Sequence, residues 1–102
     1  MKKLFAALFL SAVILNNAFA APISSYGVLT NIRPYNEGTI YVTHSSGTCG
    51  TTVFSVSTTT IGGKAIYAAA LIALTTQKQV AIEVAPVACA WGMPIQSIFV
   101  SQ

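Results

Sequence analysis

The chain has 102 residues and a formal charge of +3, and that basicity sits mostly at its start. From Ala21 onward Arg33, Lys64 and Lys78 face Glu37 and Glu83, so about +1 remains. Without clustered Lys and Arg there is no electrostatic footprint for nucleic acid or anionic lipid.

Residues 1–20 read as a cleaved signal peptide. Lys2 and Lys3 form a basic head, Leu4 to Leu15 is an apolar run broken only by Ser11, and Ala18-Phe19-Ala20 offers small residues for cleavage after Ala20. The apolar run falls short of the ~20 residues that span a bilayer, so no membrane span is expected after cleavage. The product is expected in the periplasm or outside the cell, as a single domain over residues 21–102.

From Ser24 to Tyr35 the chain alternates, with Val28, Thr30 and Ile32 on one side and Leu29, Asn31 and Arg33 on the other. This is the first expected strand. Asn36-Glu37-Gly38 is a turn signal, and TIYVTH supplies a hairpin partner. After the turn SSGTCG, the β-branched and aromatic run Thr51 to Thr58 forms a third strand. The period then changes to that of a helix. Thr58, Thr59 and Thr60 offer capping hydroxyls, and the segment from Gly62 or Gly63 to about Gln77 is rich in Ala and free of Pro. QVAIEVAP returns to alternation, with Val80, Ile82 and Val84 facing one way. Pro86 stops it, and the loop VACAWGMP leads into a last strand, IQSIFVSQ.

The expected class is therefore mainly β with one α-helix, in the order β-β-β-α-β-β. That is the order of a five-stranded OB-like Greek-key barrel, the OB-fold, with the helix plugging one end; an open antiparallel sheet crossed by the helix is the competing architecture. Closure would remove the exposed edges that a small apolar sheet otherwise presents. A domain of this size usually needs a staple or a partner subunit. Cys49 and Cys89 are expected to form a disulfide in an oxidising compartment, closing a loop that contributes ~4 kcal/mol.

The helix carries two stripes. Tyr67, Ala70, Leu71 and Leu74 are expected to face the strands. Opposite lie Ala65, Ala68, Ala69, Ile72, Ala73 and Thr76, where a surface helix ordinarily shows charge. Ala65, Ala68, Ala69, Ile72 and Ala73 are thus the expected contact of a homo-oligomer, for which a ring is an economical closed form. The bland reading is that alanine simply favours helix and tolerates water.

Catalytic chemistry is thin. The sequence holds no Asp, its only histidine is His44, and Glu37 and Glu83 make no evident carboxylate pair. Neither a nucleophile elbow nor a metal-ligand cluster nor a phosphate-binding glycine loop occurs. No cofactor and no enzyme activity is expected, and His44 reads as a surface or turn residue. What remains is hydroxyls and aromatics near loops, the groups that stack on and hydrogen-bond to sugars. Side chains of this kind are Ser24, Ser25, Tyr26, Tyr35, Tyr41, Thr43, Ser45, Ser46 and Trp91, of which Ser24, Ser25, Tyr26, Tyr35 and Trp91 are the candidate ligand residues; Tyr41 also reads as a cross-strand partner and Trp91 as a cover for the disulfide.

SSYGVLTNI, a Cys before a short strand, and a helix ending LTTQKQVAIEVAP together resemble the OB-fold B subunits of pertussis, subtilase and typhoid type toxins. Small exported bacterial proteins of the same helix, turn and strand pattern are similar as well. The toxin resemblance implies a pentameric ring that binds sialylated or other cell-surface glycans and carries an enzymatic A subunit. It also implies a sugar contact from Ser25 or its neighbour Ser24. The alternative function is a structural or envelope-associated protein that docks a partner through the apolar helix.

Overall fold

A computed structural model describes residues 22–102; the expected signal peptide and its cleavage after Ala20 lie outside the described residues. The elements run β1 (Leu29–Pro34), β2 (Thr39–Thr48), β3 (Thr51–Ser57), α1 (Ile61–Thr76), β4 (Val80–Val84) and β5 (Met93–Val100). The class is mainly β with one helix, in the expected order. The strands form one mixed sheet in the spatial order β1-β2-β3-β5-β4. All neighbours are antiparallel except β3 and β5, which pair in parallel through Phe54 with Met93 and Ser55 with Pro94.

The segment before β1 belongs to the other edge of this sheet. Ile23 and Gly27 bridge antiparallel to Glu83 and Val80 of β4. Ser24 N–H donates to Ile82 O at 2.9 Å, Gly27 and Val80 exchange bonds of 2.9 and 2.7 Å, and Val84 N–H reaches Pro22 O at 3.0 Å. The expected long first strand is thus divided: residues 22–28 serve β4, and β1 proper serves β2. Between them the β1 register slips by one at Thr30, where Leu29 faces His44 but Asn31 faces Thr43. A bulge of this kind breaks strict alternation. It corrects the expected face assignment, because Leu29 is fully buried and Ile32 packs against the same core.

The core is built from Leu29, Ile40, Val42, Phe54, Val56, Val80, Ile82, Val84 and Met93. Truncating a fully buried aromatic such as Phe54 costs ~3–5 kcal/mol, a large share of what a small domain has. The helix covers this core. Thr60 caps its start, accepting from Gly63 N–H at 2.9 Å. Its end turns through Gln77 in the left-handed region, φ 55°, where Lys78 N–H reaches back to Ala73 O. That geometry satisfies carbonyls the last turn would otherwise leave bare.

The helix is rotated from its expected setting. Gly63, Ile66, Tyr67, Ala70, Ala73 and Leu74 face the strands, with Ala73 only 1% exposed, whereas Leu71 is 38% exposed. Ala73 therefore belongs to the core and not to an outer contact. The cause lies at the first turn, where a side chain on Gly63 would collide with the Ser57 carbonyl. A helix lying that close to the strands needs small residues along the line of contact, and Ala70 and Ala73 continue it.

Candidate functional site

Strand alternation sets the site. Since Ile40, Val42 and His44 of β2 point inward, Tyr41 and Thr43 point outward. The register places Arg33 and Ser55 on either side of Tyr41, and Asn31 and Val53 on either side of Thr43. These residues make a mixed polar and aromatic outer face over β1, β2 and β3.

Two loops add rings to that face. Tyr35 stands in the β1–β2 turn, held by its N–H to Thr39 O at 2.8 Å and by Gly38 N–H to its carbonyl at 3.1 Å. Its ring meets Tyr41 edge to face, with centroids 5.4 Å apart and planes at 83°. From the β4–β5 loop Trp91 lies on the other side of Tyr41, 5.2 Å between centroids and tilted by 30°. The Arg33 guanidinium carbon sits 5.3 Å from the Tyr35 centroid. Arg33, Tyr35, Tyr41 and Trp91 thus form a continuous ladder, with each contact in the range where ring and cation–ring attraction is appreciable.

The Trp91 loop is tied down at several points. The Cys49–Cys89 disulfide joins it to the β2–β3 turn, with Cα atoms 5.3 Å apart. Gly92 N–H donates to Val53 O at 3.0 Å and Met93 N–H to Ala90 O at 3.2 Å. Gly92 has φ +73°, and a Cβ there would stand 3.0 Å from the Tyr41 ring. Only glycine both takes this backbone conformation without strain and lets the loop lie against the tyrosine. Trp91 nevertheless remains 68% exposed. Its indole and the Tyr35 and Tyr41 rings line a groove of about 220 Å³ floored by Val53, with Asn31, Arg33 and Thr43 as polar groups. A second groove of about 390 Å³ lies along the β2–β3 turn and shares Trp91 as a wall.

The expected ligand residues fall in two places. Tyr35 and Trp91 come together through Tyr41, whose ring packs against both of theirs. Ser24, Ser25 and Tyr26 lie in the segment that pairs with β4 and line neither groove. The Ser24 hydroxyl is buried and committed to the backbone: it accepts from Ile82 N–H at 2.9 Å and donates to Ser25 O at 2.8 Å. Ser25 and Tyr26 are exposed. Arg33 and Asn31 were missed as ligand residues, although outward alternation on paired strands already puts them on one face with Thr43.

His44 departs from its expected surface position. It is buried where β2 breaks register with β3 between Thr43 and Thr48. Gly47 N–H donates to its Nδ1 at 3.0 Å, which leaves Nε2–H to donate to Val80 O at 2.8 Å. Both ring nitrogens are engaged, Nδ1 within β2 and Nε2 across to β4, so the histidine serves as a strut. Among the described residues no group of three or more His, Cys, Asp or Glu is placed to hold a metal ion, and no helix is long and apolar enough to cross a membrane.

The expected assembly residues divide too. Ala65, Ala68 and Ile72 are exposed, Ile72 by 59%, and Ala69 is half-buried beside a groove between α1 and β5. Ala73 is removed from this set by its burial. No protein-family model, curated protein or solved structure matches this chain.

Proposed function

We propose that the protein is an exported, non-catalytic binding module of OB-like architecture that takes up a glycan on the outer face of β1, β2 and β3. The single observation that carries this reading is the Arg33–Tyr35–Tyr41–Trp91 ladder beside a groove furnished with an amide and a hydroxyl. Aromatic faces accept the apolar C–H faces of a sugar, and side-chain amides and hydroxyls satisfy its oxygens. An oligonucleotide would also stack, but a site that tracks a phosphate backbone needs a positively charged groove. Arg33 is the one cation lining this groove.

The barrel reading draws support from the return of residues 22–28 to β4, which brings the two ends of the sheet order onto one stretch of chain. A groove over strands two and three, flanked by the β1–β2 and β4–β5 loops, is where barrels of this type bind oligosaccharides and oligonucleotides. Export to the periplasm or beyond is supported by the leader and by a disulfide that fits an oxidising compartment.

A homo-oligomer is proposed alongside, on the observation that α1 presents Ile61, Ala65, Ala68, Leu71 and Ile72 outward. A pentamer carrying an enzymatic subunit is the form that the toxin resemblance suggests. Docking of a different partner protein on the same helix is the second reading.

The test of the glycan reading is a glycan array probed with the mature protein, with single-stranded DNA as a control. Trp91→Ala should erase the signal, while Ser25→Ala should leave it intact. A signal that follows Ser25 and ignores Trp91 would move the site to the first segment, and silence across the array would remove the sugar from the proposal.

A further inference from the structure

Trp91 stands at a junction. One side of it belongs to the ladder groove with Tyr41, and it also walls the groove along the β2–β3 turn. The second groove is the larger of the two, about 390 against 220 Å³, and its chemistry is different. Ser46, Thr48, Thr51 and Thr52 line it with hydroxyls; that of Ser46 donates to Tyr26 O, that of Thr51 is engaged with the Val53 backbone, and Gly47 and Gly50 leave backbone uncovered. No charged side chain lines it. Trp91 is its only ring.

Resting on the glycan reading, we infer that the ligand is a neutral, linear oligosaccharide rather than a single terminal sugar, and that it passes over Trp91 from one groove into the other. The ladder groove grips one unit by stacking. The turn groove then hydrogen-bonds the following units chiefly through the Thr48 and Thr52 hydroxyls, which a neutral chain can satisfy from either side, as donor or acceptor. A chain held at both places gains affinity because its second contact is intramolecular once the first is made. Nothing in the turn groove complements a charged sugar. Because the two grooves meet at one side chain, the ligand must cross in single file, which disfavours a branch at that point.

The same two grooves assign a role to the disulfide. Cys49 lies between Thr48 and Gly50 in the turn, and Cys89 is two residues before Trp91. The bridge therefore fixes the distance between the hydroxyl wall and the indole, and with it the alignment of the two subsites.

The experiment is a titration followed by Trp91 fluorescence and by calorimetry, using cello-, malto- and chito-oligosaccharides from the monosaccharide to the hexasaccharide. In at least one series affinity should rise by about tenfold or more with length before levelling off. Thr52→Trp, a substitution at an exposed position that fills the turn groove, should flatten that rise. Affinity that is independent of length, a rise that Thr52→Trp leaves untouched, or binding confined to acidic or branched glycans on the array would overturn this inference and leave the glycan reading standing. If no saccharide binds in any format, both fall together.

Discussion

Two exposed surfaces of this domain are rich in apolar atoms, and they differ in what accompanies those atoms. On the outer face of β1–β3 the rings of Tyr35, Tyr41 and Trp91 are already packed against one another, and Asn31, Thr43 and Arg33 stand beside them. On the outer face of α1 lie Ala65, Ala68, Leu71 and Ile72, with Lys64 and Thr75 at the flanks. Preorganised rings with polar neighbours can hold a small ligand of mixed character, because little side-chain freedom is lost on binding. Methyl groups flanked by so few polar groups give a mixed ligand little to hydrogen-bond and suit either water or another apolar surface. Exposure alone does not distinguish these roles; the polar groups at the margin do.

The comparison breaks most severely if the tie between the loops is removed. Replacing Cys49 and Cys89 with Ser should cost ~4 kcal/mol of stability by freeing the unfolded chain, read as a lowered denaturant midpoint. Trp91 would also lose its seat on Tyr41, so near-ultraviolet circular dichroism from the ladder should collapse while the sheet signal persists in the folded fraction. Helix-face behaviour should be untouched at low denaturant. If the ladder signal survives reduction, the hydrogen bonds of Gly92 and Met93 hold the loop by themselves.

Trp91→Ala comes next. It should weaken saccharide binding by at least about tenfold, or roughly 1.4 kcal/mol, and leave the denaturant midpoint nearly unchanged, since the indole is mostly solvated. Those two readouts separate a ligand platform from a packing residue. A large stability loss with little change in affinity would place Trp91 in the second class.

Much of this architecture is legible in the sequence because its signals are local. Alternation marks β2 to β5 to within a few residues and the change of period marks the helix, whereas the first expected strand is divided between two partners. What local pattern does not carry is the offset of one element against another. The bulge at Thr30 turns both Leu29 and Ile32 inward, and no hydropathy pattern distinguishes an extra residue in one strand from strict alternation. The rotation of α1 is not legible for a related reason. Alanine suits either face of a helix, and the contact that chooses between them, Gly63 against the Ser57 carbonyl, joins the helix to the strand before it. The site was half legible. Tyr41 and Thr43 could be placed outward from alternation, but the arrival of Trp91 depends on a loop closed across 40 residues by the disulfide.

The helix face gives the third test. Ile72→Glu should lower the native mass of the mature protein at micromolar concentration, measured by light scattering, because a buried carboxylate in an apolar contact is strongly disfavoured. Saccharide affinity per protomer should not change, since the helix and the ladder lie on different elements. A wild-type mass already equal to one chain would end the assembly proposal and leave Ile72 as an ordinary exposed apolar residue.

Tyr35→Ala should have the smallest effect. Tyr35 touches Tyr41 edge to face and supports Arg33, so it reaches the ligand at the end of the ladder and not at its centre. An edge-to-face pair contributes about 0.5–1.5 kcal/mol, which corresponds to a loss of roughly two- to tenfold in affinity. Tyr35→Phe should retain nearly all of it, because the ring and not the hydroxyl makes the contact. If Tyr35→Ala instead costs as much as Trp91→Ala, the ligand is centred on the β1–β2 turn, and the ladder must be read from Arg33 inward.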